Sequence, residues 1–202
     1  MADTARQLAE RSERAGISLT SPLAARLVAY YDLLARWNRK INLTSLVHSD
    51  EAIDRLLLEP LAAARWLPQS SRLMDLGSGG GSPAIPLALA LDSPALVMVE
   101  SRSRKAAFLR EAAREVGLNA TVENARFEDL GYADAMDLVS IRAVKVDDPT
   151  LAIAARFLRS GGSLALFQAA GVTAPPSVPS TLIARQPIPL LNNSVLQVLD
   201  KA

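Results

Sequence analysis

Between Leu23 and Trp37 the apolar side chains recur at steps of three and four: Leu23, Leu27, Tyr30, Tyr31, Leu34 and Trp37. That period lines one face of a helix. Thr20 offers an N-cap and Pro22 sits where a first-turn proline fits, so the helix is predicted from Ser21 to about Lys40. A charged helix over Thr4 to Ala15 precedes it, closed by Gly16. Ile41 to Ser45 connects to a third helix capped by Ser49-Asp50-Glu51, which Pro60 ends or kinks. Leu61 to Trp66 resumes helical character and Pro68 stops it.

Beyond residue 70 the pattern changes. Short continuous apolar runs now alternate with helical segments. Leu73, Met74 and Leu76 form the first run, Ala95 to Val99 the second, Ala120 to Val122 the third, Asp137 to Ser140 the fourth and Ser163 to Phe167 the fifth. Helices are predicted between them at Ile85 to Leu91, Ser103 to Val116 and Thr150 to Leu158. Alternating β and α segments predict an α/β fold with a mainly parallel, doubly wound sheet. After the Pro175-Pro176 and Pro179 loop, Thr181 to Arg185 and Ser194 to Leu199 have no helix between them, which predicts an antiparallel pair at one edge. No long Gly/Ser linker divides the chain. Residues 1–70 are expected as a helical extension packed on an α/β domain over 71–202.

The first run passes directly into Asp75-Leu-Gly-Ser-Gly-Gly-Gly81. A strand, a glycine turn and a helix N-terminus make a cofactor cradle, because Gly77, Gly79 and their neighbours let backbone approach a ligand. No Lys-Ser/Thr ending is present, which disfavours a nucleotide triphosphate. Ser82 stands where a dinucleotide fingerprint has its third Gly, and an acid at Asp75 repels pyrophosphate but suits a cation. The amino group and sulfonium of S-adenosylmethionine are such cations. Glu100, directly after the second run, has the spacing of an acid that meets a ribose diol.

Composition narrows the chemistry. The 202-residue chain is 50% hydrophobic, carries formal charge +1 and lacks Cys. A thiolate nucleophile and a Cys-ligated metal are excluded, and no metal site is expected. The single His48 lies in a polar loop and is expected to be exposed. No apolar window reaches the ~18 residues of a membrane span, and Met1 to Gly16 is too charged for a signal peptide, so a cytoplasmic chain with no membrane partner is expected. With near-zero net charge, nucleic-acid binding has to come from local patches. Arg36, Arg39 and Lys40 either complement the dipole of the second helix or contact phosphate.

With these residues assembled, the chain resembles the RsmG (GidB) family from about Ile17 to the C-terminus. The resemblance is carried by Trp37-Asn-Arg-Lys-Ile-Asn-Leu-Thr-Ser45, Asp75 to Gly81, Ile85-Pro-Leu87, Glu100-Ser101 with Lys105 and Phe108-Leu109, Arg126-Phe-Glu128 and Ser140-Ile-Arg-Ala143. It implies a class I methyltransferase (Rossmann-like) fold. It also implies transfer of a methyl group from S-adenosylmethionine to guanine N7 in 16S rRNA, free or in a small ribosomal subunit precursor. A monomer is expected. By the same resemblance Gly77 and Ser82 contact the cofactor, Phe127 and Glu128 lie along its adenine, and Arg142 stands near cofactor and substrate, with Arg126 a further RNA candidate. The family's Arg-His-x-x-Asp-Ser is here Arg55-Leu-Leu-Leu-Glu-Pro60, and its Phe-Pro-Gly-Ile-Pro is Ser82-Pro-Ala-Ile-Pro86. Its Lys-Gly is Phe167-Gln168, and an expected basic residue falls at Ser194 or Val195. Guanine N7 carries a lone pair and no proton, so no catalytic base is expected; positioning suffices. A drifted substrate on the same fold and a non-catalytic RNA-binding module remain open alternatives. A nicotinamide oxidoreductase is disfavoured by Ser82 and Asp75.

Overall fold

A computed structural model describes residues 2–47, 51–92, 95–171 and 178–202. His48, the Ser49-Asp50 cap and Pro175-Pro176 lie outside the described residues. The helices are α1 (Ala2–Arg14), α2 (Ser21–Asn38), α3 (Glu51–Ile53), α4 (Glu59–Ala64), α5 (Ala84–Ala90), α6 (Ser103–Glu115) and α7 (Asp148–Phe157). The strands are β1 (Arg72–Leu76), β2 (Ala95–Val99), β3 (Ala120–Glu123), β4 (Met136–Arg142), β5 (Leu158–Ala169), β6 (Leu182–Ala184), β7 (Ile188–Pro189) and β8 (Ser194–Lys201). They form one sheet in the order β3-β2-β1-β4-β5-β8-β6, with β7 also on β8. The first five strands are parallel, and β8 runs antiparallel between β5 and β6. This is the doubly wound α/β sheet with an antiparallel C-terminal strand that the alternation predicts.

Strand alternation sorts the core into two layers. Leu73 of β1, Met98 of β2 and Leu138 of β4 face a large cluster that includes Leu27, Tyr30, Leu57, Ile85 and Phe108 from the helices. Met74, Leu76, Val99, Val139 and Ile141 face a smaller cluster built on Leu151, Ala154 and Phe157 of α7. Side chains from the first 70 residues and from the sheet thus share one continuous apolar layer. No helix among the described residues is long and apolar enough to cross a membrane.

Boundaries differ from the predicted ones where local bonds decide them. α2 stops at Asn38, where the Lys40 and Ile41 N–H groups turn back to Trp37 O at 2.8 and 3.0 Å. Pro60 neither ends nor simply bends its helix: a π-helical turn over Asp54–Leu58 comes first, and α4 starts with the proline in its first turn. α4 closes at Ala64, leaving Trp66 half exposed. α7 begins two residues earlier than predicted because the Asp147 carboxylate accepts from Thr150 N–H and caps it. β5 starts at Leu158, with Gly161-Gly162 inside a register shift between Met136↔Leu158 and Leu138↔Ser163.

Candidate active site

The glycine turn leaves β1 at the C-terminal edge of the sheet, where the chain order reverses between β1 and β4. In open α/β sheets that edge is the ligand crevice. Gly77 and Ser78 both donate their N–H to Val99 O at 2.9 Å. Gly77, Gly79 and Gly81 have φ of +73°, +51° and +87°, a conformation glycine adopts without cost. A Cβ on Gly81 would stand 2.8 Å from Ile85 Cδ1 and 3.2 Å from the Tyr30 ring. A Cβ on Gly79 would meet nothing closer than 3.7 Å. The turn is therefore packed at Gly81 against α2 and α5 and at Gly77 against Val144, and it is open at Gly79.

Tyr30 supports the turn from below. It is fully buried, and its hydroxyl donates to Gly80 O at 2.6 Å. Asn38 does the same for the next segment: its side-chain oxygen accepts from Leu43 and Thr44 N–H at 2.8 and 3.0 Å, and its amide donates to Thr44 O. Those bonds fold the connector after α2 over the turn, so that Leu43 to Leu46 line the same hollow.

The hollow has a volume of about 660 Å³ and is walled by Gly77 to Gly80, Glu100, Lys105, Arg142 and the connector. That volume falls in the ~300–1,000 Å³ range of small-molecule sites. Glu100 stands in the wall with both oxygens oriented by backbone: Oε2 accepts from Gly79 N–H at 3.0 Å and Oε1 from Arg102 N–H at 2.8 Å. Asn124 donates to Glu100 O and fixes the end of β2. A carboxylate held this way keeps lone pairs for a pair of hydroxyl donors.

Asp75 is placed differently from the expectation that its carboxylate faces the ligand. It is 1% exposed and lies beneath the turn, not in its wall. The reason is the pleat: Asp75 points into the layer of Leu73 and Tyr30, and its register partner Ser140 donates to Oδ1 at 2.6 Å. Burial raises its pKa to about 6, against the opposing pull of the Ser140 and Ser78 hydroxyls and the Arg142 charge.

On the far side of the turn Arg142, the last residue of β4, ties several segments together. Its Nη1 donates to Arg55 O at 2.7 Å and to Ser82 Oγ at 3.0 Å, and Nη2 lies 2.7 Å from Glu59 Oε1. Its guanidinium sits 5.1 Å above the Phe167 ring. Ser82 in turn donates to Leu56 O. Burial lowers the Arg142 pKa, and Glu59 opposes that shift.

The remaining expected residues do not reach this wall. Phe127 is half-buried against the smaller core cluster, in a 3-10 turn over Phe127–Asp129. Glu128 and Arg126 on the same turn are exposed and outside the hollow. Arg36, Arg39 and Lys40 are exposed around the end of α2, also outside it. The structure adds Tyr30, Arg55, Glu59, Arg102 and Lys105, which the sequence does not single out as site residues. Of these, Lys105 is among the residues that carry the family resemblance, and Arg55 and Glu59 lie in the segment that departs from the family's Arg-His-x-x-Asp-Ser.

A parallel sheet of this order, a glycine turn after β1 and an acid at the end of β2 define a class I methyltransferase, whose methyl donor is S-adenosylmethionine. The residues fit that donor: the hollow is roomy, Gly79 leaves it open, and Glu100 presents acceptors for a sugar. Within that class the chain belongs to the GidB family, rRNA small subunit methyltransferase G, whose family model matches residues 23–173. It is 40% identical over 148 residues to ribosomal RNA small subunit methyltransferase G of Xanthomonas campestris pv. campestris (strain B100), covering 73% of this chain and 69% of that protein. The corresponding protein of Stenotrophomonas maltophilia (strain K279a) is 40% identical over 151 residues, 74% and 71% of the two chains. Among solved structures the fold is similar to a putative O-methyltransferase from Klebsiella pneumoniae, with TM-score 0.59, 20% identity and coverage of 86% and 89%. It is also similar to a SAM dependent methyltransferase from Aquifex aeolicus, with TM-score 0.57, 11% identity and coverage of 75% and 93%.

Proposed function

We propose that this enzyme methylates N7 of a guanine in 16S rRNA, free or in a small-subunit precursor, acting in the cytoplasm as a monomer. The observation that carries the reading is the open glycine turn with Glu100 locked across it, bordered on the other side by the Arg142 cluster. Bound S-adenosylmethionine supplies an electrophilic methyl group there. Gly77 and Gly79 would give it backbone access, Glu100 would accept its ribose hydroxyls, and Ser82 and Arg142 would help hold it. Asp75 acts from beneath, fixing Ser140 and adding negative charge under a cationic ligand. Phe127 and Glu128, on the turn after Asn124, would hold its adenine, and Asn124 tethers that segment to the end of β2.

The chain itself has little to do beyond binding and aiming. Guanine N7 has no proton to lose, so no side chain need act as a base. The residues over the turn, Leu43 to Leu46, exclude water from the transferring group, and the fixed walls hold the base in line with it. Exposed cations at Arg36, Arg39, Lys40, Arg102 and Arg126 take the phosphate backbone, with Lys105 at the rim. We assign residues 1–70 the part of an RNA-facing extension, since α2 and the connector supply both the roof and the Arg36 to Lys40 cluster.

The test is direct. Protein, S-adenosylmethionine and 16S RNA are incubated, and the RNA is reduced with borohydride and treated with aniline, which cuts at N7-methylguanine. A single new scission is expected. Its absence on both naked RNA and small-subunit precursors would end the guanine-N7 reading. One observation favours a second reading, a drifted acceptor: Leu56, Ser82, Phe167 and Ser194, all departures from the family pattern, line one hollow around Arg142. Methylation of a small acceptor with no cut in RNA would establish it.

A further inference from the structure

We infer that Glu59 is the specificity residue for the acceptor base: its unpaired carboxylate oxygen takes the N1–H of guanine. The inference rests on the guanine-N7 reading above and names what selects the base.

Glu59 follows the π-helical turn, and its side chain is 1% exposed. Oε1 is spent on Arg142, while Oε2 has no hydrogen-bond partner among the described residues. Nη2 of Arg142 is in the same condition: it is ion-paired to Glu59 but makes no hydrogen bond of acceptable angle. Both residues line the hollow, with Oε2 and Nη2 covered until the pair turns toward an incoming base. A buried acceptor beside a buried donor, each left over, is costly unless something supplies the complement. The complement is an N–H next to a carbonyl oxygen. Guanine presents that pair as N1–H and O6, on the edge adjoining N7.

Topology favours the base over the cofactor as the occupant. Glu100 ends β2, and the Glu59–Arg142 pair stands at the end of β4, so the two carboxylates flank the turn after β1 from opposite sides. With the ribose at Glu100, the opposite side, toward Phe167 of β5, is left for the acceptor. A carboxylate accepts and cannot donate, so it rejects a purine whose N1 is a bare acceptor. A site built this way discriminates strongly, because the wrong base leaves its groups unpaired.

The experiment first maps the methylated guanine by borohydride–aniline scission. That guanosine is then replaced by 2,6-diaminopurine in a ligated RNA. Diaminopurine keeps N7 and the 2-amino group but exchanges N1–H and O6 for an acceptor and a donor. Wild-type enzyme is expected to prefer guanosine at least ~100-fold in kcat/KM. In Glu59→Gln, whose amide both donates and accepts, that preference is expected to fall below about fivefold, while affinity for S-adenosylhomocysteine stays within twofold. A wild-type enzyme that methylates diaminopurine within threefold of guanosine overturns the inference, whether or not the variant folds. So does a Glu59→Gln enzyme that keeps the preference. An equal loss of S-adenosylhomocysteine binding and turnover would assign the carboxylate to the cofactor's ammonium group instead. No scission in the mapping step would remove the guanine-N7 reading and this inference together.

Discussion

Asp75 is the residue whose cost is most exposed to measurement. Its carboxyl is buried and its pKa rises from 3.8 to about 6. The native state then holds the proton more tightly than the unfolded chain, so stability falls as pH rises from about 4 to about 6 and stays at the lower level above. A rise of that size corresponds to about 3 kcal/mol at most. An amide at this position still accepts from Ser140 but never ionises. Asp75→Asn is therefore expected to gain on the wild type with rising pH, by roughly 4–8 °C in Tm between pH 4.5 and pH 7.5. Cofactor-free protein followed by calorimetry gives the comparison, and a difference that does not vary with pH would show that Asp75 keeps an ordinary pKa. Such a buried acid also has a use: its charge lies under the site of a cationic ligand, so some stability is given up where binding gains.

At the scale of elements, the glycine turn and α2 behave as one unit. The turn needs a left-handed backbone at Gly81, and Tyr30 and Ile85 fill the space where a side chain would begin. Gly81→Ala is expected to cost about 2–4 kcal/mol, the sum of a left-handed Ala and an overpacked contact. S-adenosylhomocysteine affinity should drop at least tenfold, because Gly79 and Gly80 move with it. Isothermal calorimetry near wild-type affinity would mean that the turn relaxes without Tyr30. How much of this was legible beforehand follows from what each signal measures. Glycine spacing and an acid after the next apolar run report local backbone geometry, and the turn and Glu100 line one hollow. The direction of Asp75 depends on strand pleat relative to a neighbouring strand, and Ser140 is 65 positions away. The Glu59–Arg142 pair joins positions 83 apart across a π turn whose extra residue no periodicity reveals. Phe127 illustrates the same limit from the other side: the motif gives its place after β3, but not that its ring packs into the smaller core layer.

For the whole molecule the question is how a chain of formal charge +1 holds an RNA. The overall field is too weak to draw in a polyanion, so attraction has to be concentrated where the hollow opens. Two sets of exposed positive groups stand on different elements: Arg36, Arg39 and Lys40 around the end of α2, and Arg102 with Arg104 before and at the start of α6. α2 and α6 pack on each other through the Trp37–Phe108 edge contact at 5.8 Å, which holds the two sets at a fixed relation. Each phosphate neutralised on single-stranded RNA adds about 0.7 to the slope of log affinity against log salt. Replacing Arg36, Arg39 and Lys40 together by Gln should thus lower that slope by about 2 if all three touch phosphate. If they only complement the α2 dipole, the slope stays put and the change shows as a loss of helix stability of about 1 kcal/mol. Binding of 16S RNA across a range of KCl concentrations, set beside thermal melts of the same variant, separates the two. Cofactor affinity should be unchanged in either case, since none of the three lines the hollow. A shallow slope in the wild type, with fewer than about three phosphates, would move the acceptor toward a small molecule and make the departures around Arg142 the signature of that change.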